Sequence, residues 1–152
     1  MEVDDAKVNN AKTKKLEELG EVSKCQRLVV SMDFQKESIK DLPNHGYQAT
    51  LPTCWILEGL VMYLKQSEVL KMFEELTNLS PKGSYIILNF AESEHRTGDE
   101  AGGNLDYMDA FLKEKGWTNE KVLKYGDDEF NYGRFFLDKP TGKMGFAIYN
   151  LN

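Results

Sequence analysis

Apolar residues recur along this chain in two rhythms, one helical and one strand-like. Val8, Ala11, Leu16 and Leu19 fall on one face of a helix over residues 5–19, with lysines and glutamates opposite and Gly20 as its stop. Val69, Leu70, Phe73, Leu76 and Leu79 repeat at the same spacing behind Ser67, which reads as an N-cap, and Pro81-Lys82-Gly83 closes that helix. A third helix runs from Asn104 to Lys115, with Leu105, Met108, Phe111 and Leu112 as its apolar face. Ser38 to Leu42 reads as a short helix closed by Pro43-Asn44-His45-Gly46.

Short β-rich runs separate these helices. Met1-Glu2-Val3 reads as the end of a strand, and Arg27 to Met32 is a β-branched run ending at Asp33. Cys54 to Leu60 and Tyr85 to Phe90 read as buried strands, and Lys121 to Tyr125 as a further one. Arg134 to Leu137 and Gly145 to Tyr149 read as two strands joined through Pro140-Thr141-Gly142. Residues 92–103 are polar and glycine-containing, the most loop-like stretch. Apolar strands alternating with helices predict an α/β fold. The expected sheet is mostly parallel, covered on both faces and finished by an antiparallel hairpin. The whole chain, 1–152, reads as a single domain with no internal repeat.

One carboxylate interrupts the longest apolar run. Glu58 follows Cys54-Trp55-Ile56-Leu57 and precedes Gly59-Leu60-Val61-Met62-Tyr63-Leu64. An unpaired carboxylate costs several kcal/mol to desolvate, so it needs a reason to be there. Two readings stand at this point. Either Glu58 meets a ligand or a donor where a strand opens into a cleft, or it caps the next turn or pairs with a lysine. Trp55, Met62 and Tyr63 read as core, and Cys54 as a buried structural thiol rather than a nucleophile served by His45.

In open α/β sheets, ligands bind beyond the carboxyl ends of the strands. Three acidic residues fall at such ends: Asp4, Asp33 and Glu58. A carboxylate there can accept both ribose hydroxyls of a nucleotide-like cofactor. An aspartate beside an aromatic, as in Asp33-Phe34, can receive an exocyclic amine while the ring packs on a base. Each residue taken alone also reads as a helix cap or a solvated charge. The ordinary phosphate-cradling glycine motifs are absent, and so is the Gly-x-Ser-x-Gly elbow of serine hydrolases.

Bulk properties narrow the picture further. The net charge of −6, with no offsetting basic stripe, argues against nucleic acid. Two cysteines, Cys25 and Cys54, make no disulfide framework, and His45 and His95 sit near no cysteine at metal-ligand spacing. No metal site is expected. No stretch has the length of a membrane span, and the first residues lack the pattern of a signal peptide, so the cytosol is the default compartment.

Several segments together resemble one family. These are Glu2-Val3-Asp4 before a lysine-rich helix, Ser31-Met32-Asp33-Phe34, and Pro52-Thr53 through Glu58-Gly59-Leu60 with Met62-Tyr63-Leu64. Leu79-Ser80-Pro81-Lys82-Gly83-Ser84 follows, and then Gly116-Trp117, Gly126-Asp127 and Tyr132-Gly133-Arg134 near the end. In that order they resemble the leucine carboxyl methyltransferase family, which uses S-adenosyl-L-methionine. The resemblance implies a Rossmann-like class I methyltransferase sheet and O-methylation of a carboxyl or hydroxyl group. It also implies a small-molecule or protein C-terminal carboxylate substrate. By the resemblance, Asp4 holds the cofactor ribose, Asp33 and Phe34 contact the adenine, and Glu58 lies on the cofactor wall near the ribose or methionine. It names no catalytic base. Residues 92–103 then read either as a substrate lid or as an ordinary surface loop.

The family's chain also has substrate-side helices, a cofactor-binding arginine, a central first strand and its glycine-rich loop, which this sequence lacks. The expectation is a partial methyltransferase domain with the central first strand missing. Such a chain closes the gap, borrows a strand from a second copy as a homodimer, or exposes unpaired edges. A non-catalytic remnant acting as an interaction module or dimer is the alternative reading.

Overall fold

A computed structural model describes residues 1–34, 36–91, 99, 102–130 and 143–152. The hairpin arm over Arg134 to Leu137, its Pro140-Thr141-Gly142 link, the Tyr132-Gly133-Arg134 motif and most of the 92–103 loop lie outside them. The described chain forms two units, Met1–Gln48 and Ala49–Asn152, and each is taken by itself.

The first unit is built on two short parallel strands, β1 (Glu2–Asp4) and β2 (Val29–Ser31), paired with Glu2 opposite Val29 and Asp4 opposite Ser31. The helix α1 (Ala6–Glu18) connects them, as parallel strands require. Asp5 caps it by accepting from the Lys7 amide at 2.8 Å. Its expected apolar face is not the buried one. Val8 is 49% and Leu19 61% exposed, and the single buried residue of the helix is Asn9. The inward stripe is Asn9, Thr13 and Leu16, a narrow mixed row offset from the one that apolar spacing picks out. A 3-10 turn at Ile39–His45 buries Ile39 and Leu42 and ends at Gly46.

The second unit holds four strands in the order β3-β4-β6-β5: β3 (Cys54–Leu57), β4 (Tyr85–Ala91), β5 (Trp117–Lys124) and β6 (Met144–Leu151). β3 and β4 are parallel, whereas β6 runs antiparallel to both β4 and β5. β3, β4 and β5 therefore run in one direction and β6 alone opposes them, so among the described residues the fold is α/β, mostly parallel within each sheet and carrying an antiparallel pair near the end of the chain. Helices α2 (Gln66–Asn78) and α3 (Leu105–Glu114) follow β3 and β4. α2 begins two residues earlier than an N-cap at Ser67 predicts, with Lys65 at the cap position and Glu68 reaching back to accept from the Lys65 amide at 2.8 Å. Asn104 caps α3 by accepting from the Asp106 amide at 3.0 Å.

Alternation along the strands decides where this core sits. Ile86, Leu88 and Phe90 of β4 and Ala147 and Tyr149 of β6 are fully enclosed with Phe73, Leu76, Met108 and Leu112 from the helices. Trp117 begins β5 inside this core, its Nε1 donating to Thr77 Oγ1 of α2 at 2.9 Å. Asp109 of α3 accepts from Tyr149 Oη at 3.2 Å and from Asn119 Nδ2 at 2.8 Å. Both helices therefore pack on one face. The other face leaves Cys54, Ile56, Tyr85 and Met144 exposed.

This corrects four sequence expectations. The strand ends at Leu57, not Leu60; Ile56 is 65% exposed; and Cys54 is an exposed thiol, not a buried one. Tyr63, expected in the core, is 74% exposed on a 3-10 turn over Val61–Tyr63. An apolar run cannot by itself distinguish a strand buried on both faces from one buried on one face.

Candidate functional site

Asp4 is the last residue of β1, and Asp33 and Phe34 follow β2. Because the two strands are parallel and adjacent, all three leave the sheet at its carboxyl end. The ladder continues one step past Ser31, with the Met32 amide donating to the Asp4 carbonyl at 3.0 Å. That bond fixes the height of Asp4 against the start of the Asp33 turn.

The two carboxylates are held differently. Asp4 Oδ1 accepts from the Asp5 amide at 2.7 Å, and its second oxygen accepts from no described residue. Asp4 is half-buried, so one oxygen is held and one is open. Asp33 sits in a tighter local net. Its Oδ2 accepts from Lys36 Nζ at 2.7 Å, and its amide donates to Glu37 Oε2 at 2.7 Å. Its carbonyl accepts from the Lys36 and Glu37 amides. The Asp33 carboxylate raises the Lys36 ammonium above its ordinary value through that hydrogen bond. Phe34 lies half-buried in the same turn.

Glu58 belongs to the second unit, where it stands just beyond the end of β3 and is exposed. The desolvation problem raised by its apolar neighbours does not arise, since the strand stops one residue before it. It makes no hydrogen bond or ion pair with a described residue, so neither the cap nor the lysine partner of the local reading is found there. Gly59 takes φ +61°, the left-handed region that glycine tolerates, and turns the chain sharply behind the carboxylate.

Behind the first-unit strand ends lies a polar scaffold that sequence reading missed. Glu2 of β1 accepts from Lys12 of α1 with one oxygen and from Arg27 Nε at 2.8 Å with the other. Arg27 Nη1 also donates to Thr13 Oγ1 at 3.2 Å. The Lys12 bond, against the opposing cost of burial and with help from Arg27, holds the Glu2 carboxyl below its ordinary value of 4.5. The signal was present in the chain: Glu2, Lys12 and Arg27 are complementary charges, but their separations follow no helical or strand period. Asn9 gave no signal, being a polar residue in a helix read for apolar spacing.

The second unit also carries an open groove of about 690 Å³ along α3 and β5, lined by Asp109, Lys113, Trp117, Asn119 and Val122 among others. None of the four expected site residues lines it. Three of these side chains are bonded to one another: Lys113 pairs with Asp109 at 2.7 Å, and Asp109 accepts from Asn119 as well as from Tyr149. Among the described residues no cluster of histidine, cysteine or acidic side chains is arranged to hold a metal ion, and no helix is long and apolar enough to cross a membrane.

The strand ends of the first unit thus present an open carboxylate oxygen on Asp4 and, in the Asp33-Phe34 turn, a carboxylate beside a half-buried ring. All four expected residues are acceptors or apolar, and none is a cation for the carboxylate of a methionine moiety.

The sequence pattern of the leucine carboxyl methyltransferase family matches residues 1–77. A protein of Mycobacterium sp. (strain KMS), named "Putative S-adenosyl-L-methionine-dependent methyltransferase", is 31% identical over 97% of this chain and 56% of its own length. One of Mycobacteroides abscessus with the same name is 30% identical over 99% of this chain and 55% of its own length. The chain spans about half the length of the curated relatives it matches. Among solved structures, a DUF574 family protein from Streptomyces avermitilis superposes with a TM-score of 0.66 at 13% identity, over 99% of this chain and 64% of that one. The mitomycin 7-O-methyltransferase MmcR gives 0.58 at 11% identity, over 99% of this chain and 41% of that one. At such identities the likeness is one of fold, a Rossmann-like class I methyltransferase architecture.

Proposed function

Because the chain belongs to the leucine carboxyl methyltransferase family, we propose that it supplies the adenosine-binding part of an S-adenosyl-L-methionine-dependent O-methyltransferase. The observation that carries this reading is the placement of Asp4 and Asp33 at the carboxyl ends of two paired parallel strands. Asp4 takes the ribose hydroxyls on its open oxygen. The Asp33 carboxylate receives the adenine amine, exchanging part of its pairing with Lys36, and Phe34 packs on the base. The family resemblance assigns Glu58, exposed and unengaged by described residues, to the cofactor wall near the ribose or methionine part.

When bound, the cofactor would supply an electrophilic methyl group for a carboxyl or hydroxyl oxygen of a small molecule or of a protein C-terminus, with Asp4, Asp33 and Phe34 holding its adenosine end. A carboxylate acceptor carries no proton to remove, so this chain needs to contribute orientation rather than a strong base.

The test is isothermal titration of the chain with S-adenosylmethionine and S-adenosylhomocysteine. Micromolar binding of both is expected. A hydrogen bond to a charged acceptor contributes about 1.5–3 kcal/mol, so Asp4→Ala should weaken binding roughly 10- to 100-fold. Asp33→Ala combined with it should weaken binding further, with the melting temperature held. Undiminished affinity in the double variant would sink the assignment, as would no binding by the folded wild-type chain.

A further inference from the structure

Asn9 is the one buried residue of α1, 2% exposed, on a helix whose apolar residues Val8 and Leu19 face solvent. Its amide nitrogen donates to the Asp4 carbonyl at 3.1 Å, the Val30 carbonyl at 3.0 Å and Ser31 Oγ at 3.4 Å. Its Oδ1 is enclosed and has no hydrogen-bond partner. The amide cannot be turned round to relieve this. Reversal would press Oδ1 against the Asp4 and Val30 carbonyl oxygens.

A buried amide with an orphaned acceptor costs about 1–3 kcal/mol, and leucine would be the simpler residue at an inward helical position. The cost is borne where it has a geometric effect. The bonds from the Asn9 side chain fall on the last residue of β1 and the last two of β2. Those residues set the spacing of the strand ends that carry Asp4 and Asp33. The Asp4 carbonyl they grip is the same one that receives the Met32 amide in the last rung of the ladder.

We propose that Asn9 is a positioning residue for the adenosine site: through the Asp4 carbonyl and the end of β2 it fixes the direction of the Asp4 carboxylate. The inference rests on the ribose role of Asp4. It assigns Asn9 no contact with the cofactor and makes its effect conditional on Asp4.

A double-mutant cycle on S-adenosylhomocysteine affinity reads that condition. Asn9→Leu should weaken binding roughly 10-fold in the wild-type background and by less than about 2-fold in Asp4→Ala, because a released carboxylate matters only if it is present. A purely structural role predicts equal losses in both backgrounds. Asn9→Leu and Asn9→Ser bracket the site in volume, and the cycle is read from whichever retains the native circular dichroism. Equal losses in the two backgrounds, no loss in either, or failure of both variants to fold would overturn the inference. Failure of the wild-type chain to bind, or an Asp4→Ala chain that binds as well as wild type, would instead overturn the adenosine reading. The two failures are therefore distinguishable.

Discussion

The two units of this chain hold themselves together by different means. Around α2, α3 and the four-stranded sheet, the interior is apolar and large: Phe73, Phe90, Trp117, Tyr149 and their neighbours are fully enclosed. Around β1, α1 and β2 the enclosed set is small, Val30, Met32, Ile39 and Leu42, and much of the joining is polar. Asn9 grips both strand ends, and Glu2 grips Lys12 and Arg27. Burial is non-directional and tolerates repacking, whereas hydrogen bonds fix angle and register. The unit carrying Asp4 and Asp33 is thus the one whose geometry is set by directional bonds. A binding edge needs that kind of definition more than it needs depth of core.

The largest expected effect sharpens the contrast from the apolar side. Phe73→Ala empties the centre of α2's inward face and should lower stability by about 3–5 kcal/mol, read from urea denaturation. A loss below about 1 kcal/mol would mean that the four-stranded unit relies on burial less than its packing implies. Trp117→Phe keeps most of the buried ring but deletes the bond to Thr77, and should cost about 1–2 kcal/mol in the same assay.

A smaller effect tests the polar side through pH. Glu2 has a depressed folded-state value, so its contribution is present above the ordinary 4.5 and is lost as pH falls through the folded value. The melting temperature should decline through that acid range, and Glu2→Gln should start lower and show a shallower decline. Equal slopes for the two proteins would show that the Lys12 and Arg27 contacts contribute nothing to the first unit. The smallest effect is expected at Ile56→Thr, within about 0.5 kcal/mol, because the side chain it replaces is mostly in solvent.

Much of this architecture was legible in the chain. The helices over α2 and α3 follow from spacing that real burial obeys, with Val69, Phe73, Leu76, Met108 and Leu112 all inside. The strand β4 follows from an apolar run flanked by glycine and a polar loop. What failed did so for physical reasons. In α1 the inward row is Asn9, Thr13 and Leu16, which shares only Leu16 with the apolar spacing, and its buried member is a polar residue that donates to strand-end carbonyls. In β3 a run read as doubly buried is covered on one side, and composition does not record which side of a strand is faced. The residues nominated at the strand ends were legible because strand termini are positional. The bonds that hold them in place were not, because they join partners with no periodic relation.

The exposed side of β3 has a colloidal consequence. Among the described residues Cys54 and Ile56 stand on an edge strand of their sheet, beside Tyr85 of β4, an exposed apolar margin of the kind that associates unless the molecules repel one another. That repulsion comes from a surplus of six negative charges and vanishes near pH 5.0, where the chain is isoelectric. Turbidity should therefore peak near that pH and rise with added salt, and a lysine in place of Ile56 should flatten the peak without touching either strand end of the first unit.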